Sequence, residues 1–206
     1  VADGKLRLKA VYEGGTYKTG AVTGKGKLDY ETPFRIDCRA AMSRRATGFW
    51  CAIWTVPTTG YQNGEIDIME AGNHYTDASF ASTAQYTCHN PYTINTPAKR
   101  YDLFRPGQDQ PNSAKVTLDN PDGYHTYSVE VTDDAVIWYV DDIQVHKYSN
   151  IRHTTADGGY KYAAETTTDW EGKTIYPKAN YLKNYTFTEN NYFALFDIAV
   201  GGSFVG

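Results

Sequence analysis

Eight short runs of apolar or alternating residues, each closed by glycine, proline, asparagine or aspartate nearby, constrain this chain more than any other feature. They are KLRLKAVY, FRIDCRAAM, GFWCAIWTV, GEIDIME, ASTAQYTC, HTYSVEV, AVIWYVDDIQVHKY and FALFDIAV. Runs of this length and period read as strands. Turn signals separate them, among them GG at 14–15, PTTG at 57–60, PDG at 121–123 and TDD at 132–134. No amphipathic helical pattern runs longer than a turn or two. The predicted class is therefore all-β, a sandwich or barrel of antiparallel strands. HTYSVEVTDDAVIWYVDD reads as a hairpin, and the long polar stretches 89–120 and 149–190 as surface excursions that shape a cleft.

The 206 residues suit one domain with a sizeable core, spanning 1–206. No apolar run is long enough to span a bilayer, which argues against a membrane partner. A net charge of −4 argues against nucleic acid, whose binders carry a basic patch or stripe. The 18 tyrosines, 8 phenylalanines and 4 tryptophans suit half-buried strands and suit sugar rings equally. Cys38, Cys51 and Cys88 are odd in number and lack metal-type spacing, so either one pair is bridged or all three are thiols. The sequon Asn184-Tyr185-Thr186 is a weak pointer to secretion.

Within GEIDIME three acids fall in six residues. Glu65 and Asp67 share a strand face by simple alternation, with Met69 next. Glu70 joins that face only if the strand carries one extra residue, which a β-bulge supplies. Glu65 and Glu70 then stand effectively four residues apart, roughly 13 Å at the backbone. Two glutamates leaning inward bring their carboxyls to about 5 Å, the spacing of a retaining glycosidase, with the shorter Asp67 between them. Three carboxylates so close cannot all ionise freely, so at least one must titrate high. That permits one protonated acid beside one anion. The competing reading is a solvated or calcium-binding acidic strand, although an EF-hand-type loop needs a glycine and a further ligand that are absent here.

GEIDIME resembles the bulged signature Glu-x-Asp-x-x-Glu of glycoside hydrolase family 16, as in laminarinases and agarases. YKTGAVTGKGKLDY, RIDCRAAM, GFWCAIWTVP, HTYSVEV, WYVDD and FALFDIAVGGSFVG resemble further family segments, in family order, from about residue 4 to 206. The resemblance implies a jelly roll of two antiparallel sheets with a concave sugar cleft. It implies Glu65 as nucleophile, Glu70 as general acid/base and Asp67 as the residue orienting the nucleophile. The reaction implied is retaining hydrolysis of an internal β-glycosidic bond in a β-1,3- or mixed β-1,3/1,4-glucan. No metal enters that chemistry, although family members often carry a structural calcium away from the cleft. Trp50 and Trp54 match two family tryptophans and share a face across Ala52. Arg39 matches a cleft arginine, Tyr61 stands where laminarinases often have tryptophan, and Gln85 falls where many members place histidine or asparagine. These five are the candidate substrate-binding residues. His125 reads as structural.

The chain also departs from the family pattern. Cys51 replaces a proline, Ala41 a lysine, Val131 a tryptophan and Asp197 an asparagine. These changes bear on the substrate more than on the acids. A strand at each end of the family pattern is absent, which implies that the sequence is part of a longer chain. The competing functions are a family specificity for agarose or another galactan, transglycosylation, and a non-catalytic sugar-binding jelly roll. The resemblance implies a polysaccharide partner, a monomer and an extracellular location.

Overall fold

The computed structural model describes residues 3–42, 46–60, 64–89, 113–132, 135–149, 191–202 and Val205, with the backbone of four short strands between 152 and 175. In chain order the strands are β1 (Val11–Glu13), β2 (Thr16–Lys18), β3 (Ala21–Thr23), β4 (Phe34–Ala41), β5 (Phe49–Pro57), β6 (Ile66–Gly72), β7 (Thr83–Cys88) and β8 (Ser113–Thr117). They continue as β9 (Tyr124–Val131), β10 (Ala135–Val140), β11 (Ile143–Ser149), β12 (Arg152–Thr154), β13 (Tyr160–Tyr162), β14 (Thr167–Thr168), β15 (Thr174–Ile175) and β16 (Tyr192–Val200). A short 3-10 helix, Ala78–Ser82, leads into β7.

Two antiparallel sheets form the jelly roll. The larger runs β3-β16-β5-β6-β7-β8 and the smaller β11-β10-β9-β4. Between them lies one apolar core, to which the larger sheet contributes Ile53, Ile66, Ile68, Met69, Tyr86 and Tyr192, and the smaller Ile36, Tyr127, Val129, Val131 and Trp138. Outside the slip in β6, period-two patterning explains the central strands: alternate side chains enter this layer and the others face outward. On β5 the inward residues are Cys51, Ile53 and Thr55, leaving Trp50, Ala52 and Trp54 on the opposite face.

Several expectations need correction. KLRLKAVY is not a continuous strand: Lys5 makes an isolated bridge, and strand pairing begins only at Val11–Glu13, with β2 across the turn at Gly14 and Gly15, whose φ values are +60° and +82°. Leu6 is exposed and Leu8 and Ala10 are only half-buried, and a pattern that is not fully buried by a partner layer does not make a strand. AVIWYVDDIQVHKY is two strands, because Asp141 and Asp142 take φ of +50° and +64° and turn the chain between β10 and β11. Aspartate tolerates that left-handed conformation better than most residues, which suits a two-residue hairpin turn. The 89–120 stretch contains β8, the edge of the larger sheet, and the 149–190 stretch contains the pairs β12–β13 and β14–β15. All three cysteines are free thiols. His125 is held on both sides: Nδ1 lies 2.6 Å from Asp141 Oδ2 and Nε2 2.8 Å from the Asn120 carbonyl, which suits a structural role.

The register slip in β6 is the feature that sets up the site. Against β5, Trp54 faces Asp67 and Ile53 faces Met69, so Ile68 has no partner. Against β7, Asp67 faces Thr87 and Glu70 faces Gln85, three residues of β6 spanning two of β7. Ile68 and Met69 are consecutive yet both enter the core, at 1% and 0% exposure. Their burial drives the bulge, since either side chain on the outer face would forfeit about 2 kcal/mol of apolar transfer.

A bulge disrupts the ladder and leaves backbone groups without strand partners. One is satisfied across the core, where the buried Trp138 indole N–H donates to the Asp67 carbonyl at 2.9 Å. Trp138→Phe should therefore destabilise the fold by about 2–3 kcal/mol, through the orphaned carbonyl and the volume lost. Thermal unfolding should show a drop of about 5–10 °C; an unchanged melting temperature would mean that this bond does not brace the bulge.

Candidate active site

The outward face of the larger sheet carries a cleft of about 170 Å³ lined by Trp50, Ala52, Trp54, Glu65, Asp67, Glu70, Asp197 and Ala199. Sheet register builds it row by row. Asp197 faces Ala52, Ala52 faces Glu70 and Glu70 faces Gln85; in the next row Trp54 faces Asp67, which faces Thr87. Ala52 contributes only a methyl group, which leaves open space between two tryptophans and two acids.

All three acids predicted from GEIDIME therefore reach one cleft. Asp67 and Glu70 are buried, and Glu65, immediately before β6, is partly covered. The Trp50 indole N–H donates to Glu70 Oε1 at 3.1 Å, and that of Trp54 donates to Asp197 Oδ1 at 2.7 Å. Each tryptophan thus keeps its ring at the cleft while its polar edge fixes a carboxylate.

The residue that the sequence reading missed is His89. Its Nε2 lies 2.9 Å from Asp67 Oδ2 and 3.7 Å from Glu65 Oε1, and its backbone N–H donates to the Glu65 carbonyl at 2.7 Å. The signal was present, because the alternation Thr83, Gln85, Thr87 continues to His89 on the same face. Gln85 does face Glu70, but it stands outside the cleft lining, and His89 occupies the position beside the acids. Arg39 needs a larger correction. It stands on an outward face of the smaller sheet, exposed, with its guanidinium 4.8 Å from the Tyr124 ring centroid, and so does not belong to the cleft. Tyr61 lies outside the described residues.

Burial, reinforced by the neighbouring Asp67 charge, pushes Glu65 up to about 7 and Glu70 up to about 8. Burial alone would lower His89, but the hydrogen bond to Asp67 and the surrounding carboxylates outweigh it and hold the imidazole up at about 8. One ligand atom each from Glu65, Asp67 and His89 lies within 4.8 Å of the others, so these are the described residues that could converge on a cation.

One open face of the antiparallel jelly roll thus carries four acids and two tryptophans. The chain belongs to the glycosyl hydrolases family 16, whose model matches residues 5–168. It is 28% identical over 158 residues to a beta-glucanase of Rhodothermus marinus, covering 73% of this chain and 49% of that protein. It is 29% identical over 165 residues to the glucan endo-1,3-beta-glucosidase A1 of Niallia circulans, covering 73% of this chain and 22% of that protein. The chain thus spans about half the length of the first curated relative and about a fifth of the second. Its fold is similar to a laminarinase from Flavobacterium sp. UMI-01 at a TM-score of 0.64 and 20% identity, over 97% of this chain and 68% of the other. It is similar to a Bacteroides ovatus family-16 protein solved with a G4G4G3G product at 0.63 and 19%, over the same shares.

The site also fixes how stability must respond to pH. Glu65, Glu70 and His89 all bind protons more tightly in the fold than in an unfolded chain. The folded state therefore holds more protons between about pH 4.5 and 8, and stability falls as pH rises through that window. Melting temperature should drop by several degrees from pH 5 to pH 9, and Glu70→Gln should flatten the decline. A parent protein that grows more stable across this range would contradict the arrangement.

Proposed function

We propose that this chain is the catalytic part of a retaining endo-β-glucanase that hydrolyses β-1,3- or mixed β-1,3/1,4-glucans. The observation that carries the reading is the bulge at Ile68, which brings Glu70 to the cleft that Asp67 and the preceding Glu65 also line. The glucanase names of the curated relatives support the substrate.

In the first step the ionised Glu65 carboxylate attacks the anomeric carbon. As that bond forms, the glycosidic carbon–oxygen bond breaks and its electron pair leaves with the departing sugar oxygen, which takes the proton of Glu70. In the second step Glu70, now ionised, removes a proton from water, the water oxygen attacks the anomeric carbon, and Glu65 departs as carboxylate. The anomeric configuration is inverted twice and so retained. Environment supports an acid that is protonated at rest: burial and the neighbouring Asp67 charge raise Glu70. Asp67 and His89 are positioning groups, and the Asp67–His89 pair fixes the acid beside the nucleophile. Trp50 and Trp54 offer ring faces to sugar units. The substrate polymer cannot enter a cell, so the reading includes an extracellular enzyme.

A reducing-sugar assay of the purified protein on laminarin, lichenan, agarose and carboxymethylcellulose tests the proposal. Release from laminarin or lichenan is expected, lost in Glu65→Gln and reduced by about 10²–10⁴ in Glu70→Gln. The profile of kcat/KM should be a narrow bell, with an acid limb near pH 7 from Glu65 and an alkaline limb near pH 8 from Glu70. Release from agarose alone would overturn the glucan assignment. Release that survives Glu65→Gln would overturn the mechanism.

A further inference from the structure

The cleft holds a fourth acid that the hydrolytic steps leave unused. Asp197 stands on β16 opposite Ala52, in the same row as Glu70. The Trp54 indole takes up Oδ1 at 2.7 Å, which fixes the carboxylate in place while the residue still lines the cleft. Among the described residues no side chain takes up its second oxygen, and Asp197 lines the cleft beside Ala52.

The charge around that space is one-sided. Glu65, Asp67, Glu70 and Asp197 line the cleft, and no lysine or arginine is among the described lining residues. Lys115 continues the row, but it lies two strands beyond Glu70, with its ammonium 4.2 Å from the Phe80 ring centroid. His89, the cation nearest the acids, is engaged by Asp67.

We propose that Asp197 is a specificity-determining residue that sets the charge class of the glycan: it accepts a hydrogen bond from a hydroxyl of a neutral sugar unit over Ala52 and repels a carboxylated or sulfated one. This rests on the reading of the cleft as a glycan site. A hydroxyl donating to a fixed carboxylate makes a charge-assisted bond, stronger than one between neutral partners. An anionic substituent placed there would meet the like charge of Asp197, with no lysine or arginine among the described lining residues and His89 already engaged by Asp67, the arrangement by which interfaces exclude wrong partners. Asparagine would keep an acceptor for Trp54 but turn an amide donor towards the sugar and remove the charge.

The test is a titration of Glu65→Gln protein, in which hydrolysis does not consume the ligand, with a neutral β-glucan oligosaccharide and its carboxymethylated counterpart. The neutral ligand should bind about tenfold or more tightly than the charged one. Adding Asp197→Asn should weaken the neutral ligand several-fold and close the gap to within about threefold. Asp197→Glu, which retains the charge, should keep the gap open. The inference is overturned if the gap survives Asp197→Asn, if both ligands weaken in equal proportion as a structural defect would make them, or if neither ligand binds. Failure of the hydrolytic reading shows separately, as absent sugar release by the parent protein.

Discussion

Everything in this site depends on one strand accommodating two consecutive core side chains. Ile68 and Met69 both bury themselves between the sheets, and the backbone of β6 must slip by one residue to let them. Without the slip, Asp67 and Met69 would share a face and Glu70 would be carried into the apolar core. There an ionised carboxylate without a partner is strongly disfavoured. Hydrophobic burial thus does the positioning, and the acids follow from it.

The smaller sheet takes part in the same arrangement. Trp138 on β10 reaches through the core to the Asp67 carbonyl, at the point where the strand ladder is interrupted. The bulge is therefore held on one side by apolar side chains and on the other by a hydrogen bond from the opposite layer. Burial of the acids against the core, with the Asp67 charge beside them, is also what raises Glu65 and Glu70, and it outweighs the Trp50 hydrogen bond that lowers Glu70. Packing, backbone irregularity and acid strength are three aspects of one local structure.

Much of this was legible in the sequence because its signals are local. Alternation marked β4, β5, β7, β9 and β16, and the spacing of Glu65, Asp67 and Glu70 required the bulge. Trp50 and Trp54 fell on one face by parity alone. What could not be read locally was tertiary. Arg39 has the parity of an outward residue, but only strand order tells that its sheet is not the one with the cleft. Leu6 and Leu8 alternate as well as any strand, yet Leu6 is exposed and Leu8 only half-buried. His89 lay one alternation step past the end of β7, and its place beside Glu65 depends on the β6–β7 register. The double role of Asp141-Asp142, as turn rather than strand continuation, rests on backbone dihedrals that composition only hints at.

The central claim is that the slip at Ile68 brings Glu70 to the face of Glu65, the proposed nucleophile. The most direct measurement is to incubate the protein with a 2-deoxy-2-fluoro β-glucan oligosaccharide carrying an activated leaving group, digest it and locate the adduct by mass spectrometry. The account predicts one stoichiometric glycosyl ester, on Glu65. An adduct on Asp67, Glu70 or Asp197 instead, or turnover of the reagent with no adduct at all, would contradict it.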